Sequence, residues 1–114
     1  MRIQITIPAN TPIASPLITR VQFTEGTIVT RQRIMAPYGH LFLTGIQIRY
    51  GNLNSLVIPT GGSNTDWLVL GGNQDKTYER LNPIVFDPPK YQIEVRAYNL
   101  DDTYPHTFYI DMEA

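Results

Sequence analysis

The stretch that decides the fold is YQIEVRAY, residues 91–98, because apolar and mostly polar side chains alternate along its whole length. One set consists of Tyr91, Ile93, Val95 and Ala97, and the other of Gln92, Glu94, Arg96 and Tyr98. A period of two residues is typical of a β-strand that has one face on a core. The stretch therefore predicts a strand whose odd-numbered residues point inward.

The same alternation recurs along the chain. Ile3, Ile5 and Ile7 share one face of the first segment, and LITRVQF (17–23) and TIVTRQRIMAP (27–37) read as further strands. In the last of these, Arg31 and Arg33 are predicted to share a face with Val29 and Met35. Nine prolines and eight glycines in 114 residues argue against long helices, and no stretch keeps helical spacing over three turns.

This pattern amounts to about eight short strands, spaced by roughly ten residues and separated by turn-forming residues. It predicts an all-β fold in one domain, residues 1–114. We expect an antiparallel β-sandwich of jelly-roll type, and an immunoglobulin-like sandwich is the alternative.

Composition excludes several functional classes. The chain has no cysteine, so neither disulfides nor thiolate zinc sites can form, which fits folding in a reducing cytoplasm. Nine Lys and Arg residues against ten Asp and Glu residues leave no general basic excess, and we expect no nucleic-acid partner. No run of eighteen apolar residues is present, so no membrane span is expected.

The C-terminal segment NLDDTYPHTFYI (99–110) contains Asp101, Asp102 and His106, which could suggest a metal or acid–base site. Asn, Asp and Pro are also the residues that tight turns use, and Asp side chains there accept hydrogen bonds from nearby backbone amides. The only other histidine, His40, lies in a separate turn. We therefore predict the connection of an antiparallel hairpin, and no metal site.

The sequence also lacks the motifs that nucleophilic catalysis uses. No serine stands in a nucleophile elbow, and the TGGSN loop (60–64) is not followed by the lysine and helix of a phosphate-binding loop. We predict no enzyme, no catalytic residues and no cofactor.

Residues 8–16, with three prolines in nine positions, form an extended segment that we call the proline arm. It could lie across its own sandwich or pack on a neighbouring subunit. Arginines with adjacent aromatic residues are enriched at protein interfaces. The candidate interface residues are Ile13, Leu17, Arg31, Arg33 and Tyr38.

Trp67, the only tryptophan, follows a polar loop and precedes the apolar LVL. A core or interface anchor is one interpretation, since tryptophan usually buries its ring. Stacking on a sugar ring is the other, and under it the candidate ligand-stacking residues are Trp67 and Tyr98.

Four stretches spread over nearly the whole chain carry a resemblance: ITIPANTP (5–12), the turn PYGH (37–40), FDPPKYQIEV (86–95) and the final strand in NLDDTYPHTFYI. In these stretches the chain resembles small single jelly-roll proteins of bacterial and archaeal virions. Such proteins act as capsid decoration, cement or vertex subunits, and they have no catalytic residues.

The resemblance implies a non-enzymatic structural protein that forms homo-oligomers and sits on a larger lattice such as a major capsid protein. Its location would be the virion, after folding in the host cytoplasm. The alternative function is a carbohydrate- or receptor-binding β-sandwich module.

Overall fold

The computed structural model describes residues 2–24, 26–36, 43–50, 55–58, 67–71, 74–85 and 92–113. Nine strands and no helix occur in these ranges. The strands are β1 (Arg2–Ile7), β2 (Leu17–Gln22), β3 (Ile28–Ala36), β4 (Thr44–Tyr50), β5 (Ser55–Ile58), β6 (Leu68–Leu70), β7 (Gln74–Val85), β8 (Gln92–Asn99) and β9 (His106–Glu113). The predicted all-β class is confirmed.

The strands form two antiparallel sheets. The first sheet has the order β1-β9-β3-β7, and the second has the order β2-β8-β4-β5, with β6 also paired to β4. β8 pairs with β4 along the whole of β4, whereas β5 and β6 pair with its two ends. β5 and β6 therefore share the remaining edge of β4, as two pieces of one interrupted edge strand.

Side chains from the inner faces of both sheets make the core, as in a sandwich. The first sheet contributes mainly β-branched and aromatic residues, Ile5, Ile7, Val29, Ile34, Ala36, Phe108, Ile110 and Met112. The second contributes Ile46, Ile48, Leu70, Ile93, Val95 and Ala97. The inward faces predicted for the first strand and for the 91–98 stretch are confirmed, although Tyr91 lies outside the described residues.

Gln32 on β3 is a polar side chain inside this core. It is fully buried, and among the described residues neither atom of its side-chain amide has a hydrogen-bond partner. An unpaired buried amide opposes folding because it loses its bonds to water without replacement.

β3 departs from simple alternation. Its register with β7 shifts between Val29 and Arg31, where Val29 is opposite Ile84 but Arg31 is opposite Glu79, so β7 has more residues than β3 at this irregularity. Val29 and Ile34 are both buried, while Arg31 is exposed and Arg33 half-buried. The prediction that the two arginines share a face with Val29 was wrong, because the alternation of buried residues along β3 changes phase at this irregularity.

The connection between β8 and β9 is not a hairpin. β8 belongs to the second sheet and β9 to the first, so residues 100–105 cross from one sheet to the other. The predicted hairpin was wrong for this reason, whereas its turn chemistry is correct. The backbone amides of Thr103 and Tyr104 donate to Oδ1 of Asp101 at 2.9 and 3.3 Å.

Candidate functional site

The proline arm lies across its own sandwich. The amides of Asn10 and Thr11 donate to the carbonyls of Asp101 and Asn99, both at 2.9 Å, and the Asn99 amide donates back to Thr11 at 2.8 Å. Asn99 also donates from its side chain to the Ile7 carbonyl at 3.1 Å. This two-way pairing fixes the arm beside the end of β8, and three prolines reduce the entropy lost on fixing it.

Beneath the arm, the outer face of the second sheet contains a row of charged side chains. Arg20 on β2 and Arg49 on β4 lie directly opposite Glu94 on β8, one on each side. Arg20 Nη2 approaches a carboxylate oxygen of Glu94 at 3.3 Å, and Arg96 Nε donates to the other oxygen. The Glu94 side chain is only 1% exposed, so this carboxylate is buried among guanidinium groups.

Among the described residues, positive charge exceeds negative charge in this row. Arg20 and Arg96 both contact Glu94, the one carboxylate in the described part of the row, so these two guanidinium groups exceed their carboxylate by one positive charge. Arg49 is itself buried, and it donates from Nε and Nη2 to Oε1 of Gln47 at 3.3 and 3.0 Å. Burial lowers the pKa of Arg49, Arg96 lowers it further, and Glu94 acts in the opposite direction.

Trp67 stands next to the charged row. Its ring meets the ring of Tyr98 edge-on, with centroids 5.0 Å apart and planes at 82°. Tyr98 lies directly over Gly45 on β4, where an added Cβ would come within 2.6 Å of the ring carbon Cζ. Glycine at this position makes room for Tyr98, and Tyr98 in turn positions Trp67.

Together these groups form what we call the outer cleft, a depression of about 440 Å³ between the proline arm and the second sheet. It is lined by Ile13, Ala14 and Pro16 from the arm and by Gln47, Arg49, Trp67 and Arg96. The volume lies within the range of small-molecule sites. The lining combines an aromatic ring, apolar side chains and two guanidinium groups, which suits a ligand with both an apolar face and negative charge.

The two predicted stacking residues contact each other but differ in exposure. Trp67 is half-buried and lines the outer cleft. Tyr98 was expected to point outward and be exposed, but it is only 5% exposed because Trp67 packs against it. Burial raises the pKa of the Tyr98 hydroxyl. Tyr98 is therefore a support for Trp67, and its ring is not an open stacking surface.

The predicted interface residues do not form one patch. Ile13 is 45% exposed on the arm, and Leu17 packs against the core. Arg31 and Arg33 belong to the first sheet, which is the opposite layer of the sandwich. Tyr38 lies outside the described residues, as does His40.

The outer face of the first sheet is occupied by matched ion pairs. Arg33 donates to both carboxylate oxygens of Asp75 at 2.8 and 2.6 Å, and Arg2 does the same to Asp111 at 2.8 and 3.1 Å. Each arginine lowers the pKa of its aspartate partner. These exposed pairs fit a solvated surface, where such contacts stabilise little.

His106 and Asp101 form a pair in the crossing between the sheets. His106 Nε2 lies 2.9 Å from Asp101 Oδ2. The Thr103 amide is the largest cause of a lowered pKa at Asp101, followed by His106. Among the described residues no group of three or more potential metal ligands occurs. The pair links the turn to the start of β9.

Sequence reasoning overlooked the charged row. Its signal is present in the outward positions of two strands, Gln47 and Arg49 in GIQIRY (45–50), and Glu94 and Arg96 in YQIEVRAY. Only the pairing of β4 with β8 brings these positions together. Gly45 left a weaker signal, a lone glycine inside a strand, which often marks a close approach.

No protein-family model matches this chain, and no curated protein matches it significantly. In the described part of the chain, no helix is long and apolar enough to cross a membrane.

Proposed function

We propose that this sandwich is a jelly roll and that the protein is a non-enzymatic structural subunit of a virus particle, of capsid decoration, cement or vertex type. The observation that carries the proposal is the strand order. When β5 and β6 are counted as one interrupted edge strand, the sheets run first-eighth-third-sixth and second-seventh-fourth-fifth. Strands that alternate between sheets in this way belong to jelly rolls, a fold common in capsid proteins.

The surface that would make the contacts is the outer face of the second sheet. Three exposed apolar side chains lie there, Ile13, Ile18 and Val69. Ile18 is opposite Arg96 in the strand register, and Val69 is opposite Gly45. Exposed apolar residues around arginine and tryptophan have the composition of interface centres. The partner that we propose is a second copy of this chain in a closed homo-oligomer, seated on a larger capsid lattice.

The test is the mass in solution by light scattering on a sizing column, over a range of protein concentrations. We expect a discrete oligomer that Ile18→Glu and Val69→Glu convert to monomer, because a charge is then buried in the contact. Gln4→Glu is the matched control, since Gln4 is exposed on the first sheet. A monomer at every concentration, or dissociation by Gln4→Glu as well, would contradict this assignment.

A second candidate is a carbohydrate- or receptor-binding module, and Trp67 favours it. A half-buried tryptophan in the wall of a cleft of about 440 Å³ can stack on the apolar face of a sugar. Jelly rolls also occur in lectins. The test is retention on immobilised glycans, with Trp67→Ala expected to abolish it. Retention that survives this substitution would exclude the outer cleft as the binding site.

A further inference from the structure

The outer cleft has a charge that a site for neutral sugars would not need. Arg49 and Arg96 line it, and Glu94, the nearby carboxylate among the described residues, is buried in contact with Arg96 and Arg20. One carboxylate cannot balance the two guanidinium groups that contact it. A ligand that brings negative charge into the cleft is therefore favoured over a neutral ligand of the same shape.

The geometry leaves arginine donors for such a ligand. Arg96 donates to Glu94 through Nε, and among the described residues its two terminal nitrogens donate to no other side chain. Its side chain is 34% exposed and lies in the cleft wall. The planar guanidinium group presents its donors in a fork that matches a carboxylate. Contact with Glu94 holds that fork in place before a ligand arrives.

The part of the cleft lining that the proline arm contributes is apolar. Ile13, Ala14 and Pro16 belong to the proline arm, which is fixed by backbone hydrogen bonds at Asn10 and Thr11. Trp67 is held by its edge-on contact with Tyr98. A cleft whose walls are already ordered loses little entropy when a ligand binds.

We propose that the outer cleft binds an acidic sugar, a pyranose ring that carries a carboxylate. Its apolar face stacks on Trp67, and its carboxylate accepts hydrogen bonds from Arg96 beside the positive charge of Arg49. This inference rests on the second candidate function and adds the ligand class to it. A cavity of about 360 Å³ beside Phe23 and Met112 offers no comparable chemistry, because no charged side chain lines it among the described residues.

The experiment uses the single tryptophan of the chain as the reporter. The indole N–H signal of Trp67 is followed by NMR in ¹⁵N-labelled protein during titration with glucuronate, galacturonate or N-acetylneuraminate. Glucose and glucuronamide serve as neutral counterparts, and acetate as the carboxylate alone. At least one acidic sugar is expected to bind roughly tenfold more tightly than the neutral sugars and acetate. Raising the salt from about 0.05 M to about 0.5 M should weaken that binding.

Two matched variants locate the carboxylate contact. Arg96→Gln is expected to remove the roughly tenfold preference for the acidic sugar. Arg20→Gln removes the same charge from the same partner, Glu94, but Arg20 does not line the cleft. The Arg20→Gln variant should therefore keep most of the preference for the acidic sugar. A preference that survives Arg96→Gln, in a variant that remains folded, would overturn the proposed contact.

The titration of the unmodified protein tests the proposal even if a variant fails to fold. Equal binding of neutral and acidic sugars would overturn the acidic ligand and leave the sugar-binding module standing. Binding of acetate as tight as that of any sugar would mean an anion site without sugar recognition. If no sugar shifts the Trp67 signal, the acidic ligand and the module both fail.

Discussion

Replacing Glu94 with glutamine should weaken the fold and strengthen binding of acidic ligands at the same time. The side chain keeps nearly the same shape, but the carboxylate of the charged row is lost. Arg20 and Arg96 then lose the ion partner that they contact, and Arg49 loses the opposing charge directly across the strand pair. The positive charge of Arg20 and Arg96 is then no longer reduced by Glu94.

The size of the stability loss follows from burial. Removing one partner of a buried ion pair typically costs about 3–5 kcal/mol. The Arg20 and Arg96 side chains are 57% and 34% exposed, so water screens part of the remaining repulsion. We therefore expect a loss of about 2–3 kcal/mol in the free energy of unfolding. For 114 residues this corresponds to a fall in Tm of about 8–12 °C.

The assay is thermal unfolding by circular dichroism, paired with the glucuronate titration on the same sample. Glu113→Gln is the matched control, because Glu113 is exposed on the first sheet and the change in charge is the same. Its Tm should stay within about 2 °C of the wild type. If Glu94→Gln and Glu113→Gln have the same Tm and the same affinity for glucuronate, the charged row neither stabilises the fold nor determines the electrostatic potential of the cleft.

Three further results are expected. Gln32→Met should stabilise the protein by about 1–2 kcal/mol, because it replaces an unpaired buried amide with an apolar side chain; an unchanged or lowered Tm would mean that the amide is satisfied. Gly45→Ala should destabilise by about 1–3 kcal/mol and shift the fluorescence of Trp67, since the new methyl group collides with the Tyr98 ring; an unshifted spectrum would show that Tyr98 does not position Trp67. In the folded state the pKa of Asp101 lies below its ordinary value of 3.8. The ionised carboxylate therefore stabilises the fold above pH 3.8, and this stabilisation is lost as the pH falls through the lower, folded-state pKa. Asp101→Asn should therefore lower Tm at pH 7, and the difference in Tm should shrink as the pH falls below 3.8; a difference that keeps its size as the pH falls would contradict this.

Local alternation was enough to predict the strands and most inward faces. The 91–98 stretch and the final strand place Ile93, Val95, Phe108 and Ile110 in the core, as their period-two pattern indicates. This works because each strand has one face against the core, so burial has the period of the backbone itself. The all-β sandwich follows from that pattern.

Connections between strands could not be predicted in the same way. Asn, Asp and Pro after β8 satisfy the backbone of a turn equally well in a hairpin and in a crossing between sheets. The register shift after Val29 likewise depends on pairing with β7, and no residue type in β3 predicts it. Partners that are distant in sequence decide both features, and a pattern within one strand contains no information about them.

The same limit explains why Glu94 and Tyr98 were assigned to an exposed face. Within β8 both alternate outward, as predicted, but residues far away in the sequence then cover them. Arginines from β2, β4 and β8 itself enclose Glu94, and Trp67 packs on Tyr98. An outward residue in a sandwich is exposed only if no other segment packs on that face.

A comparison of the two outer faces supports a binding role for the outer cleft. On the first sheet, Arg2 and Arg33 each pair with their own aspartate, and the charges balance locally. On the second, Arg20 and Arg96 share Glu94, the one carboxylate in the described part of the row, and Arg49 is buried with Arg96 nearby. Apolar residues in place of buried ions often stabilise a fold equally well or better, so stability alone does not require this arrangement. An unbalanced, partly buried charge beside an ordered aromatic ring is instead what an anionic ligand would neutralise, and we infer that binding explains its presence.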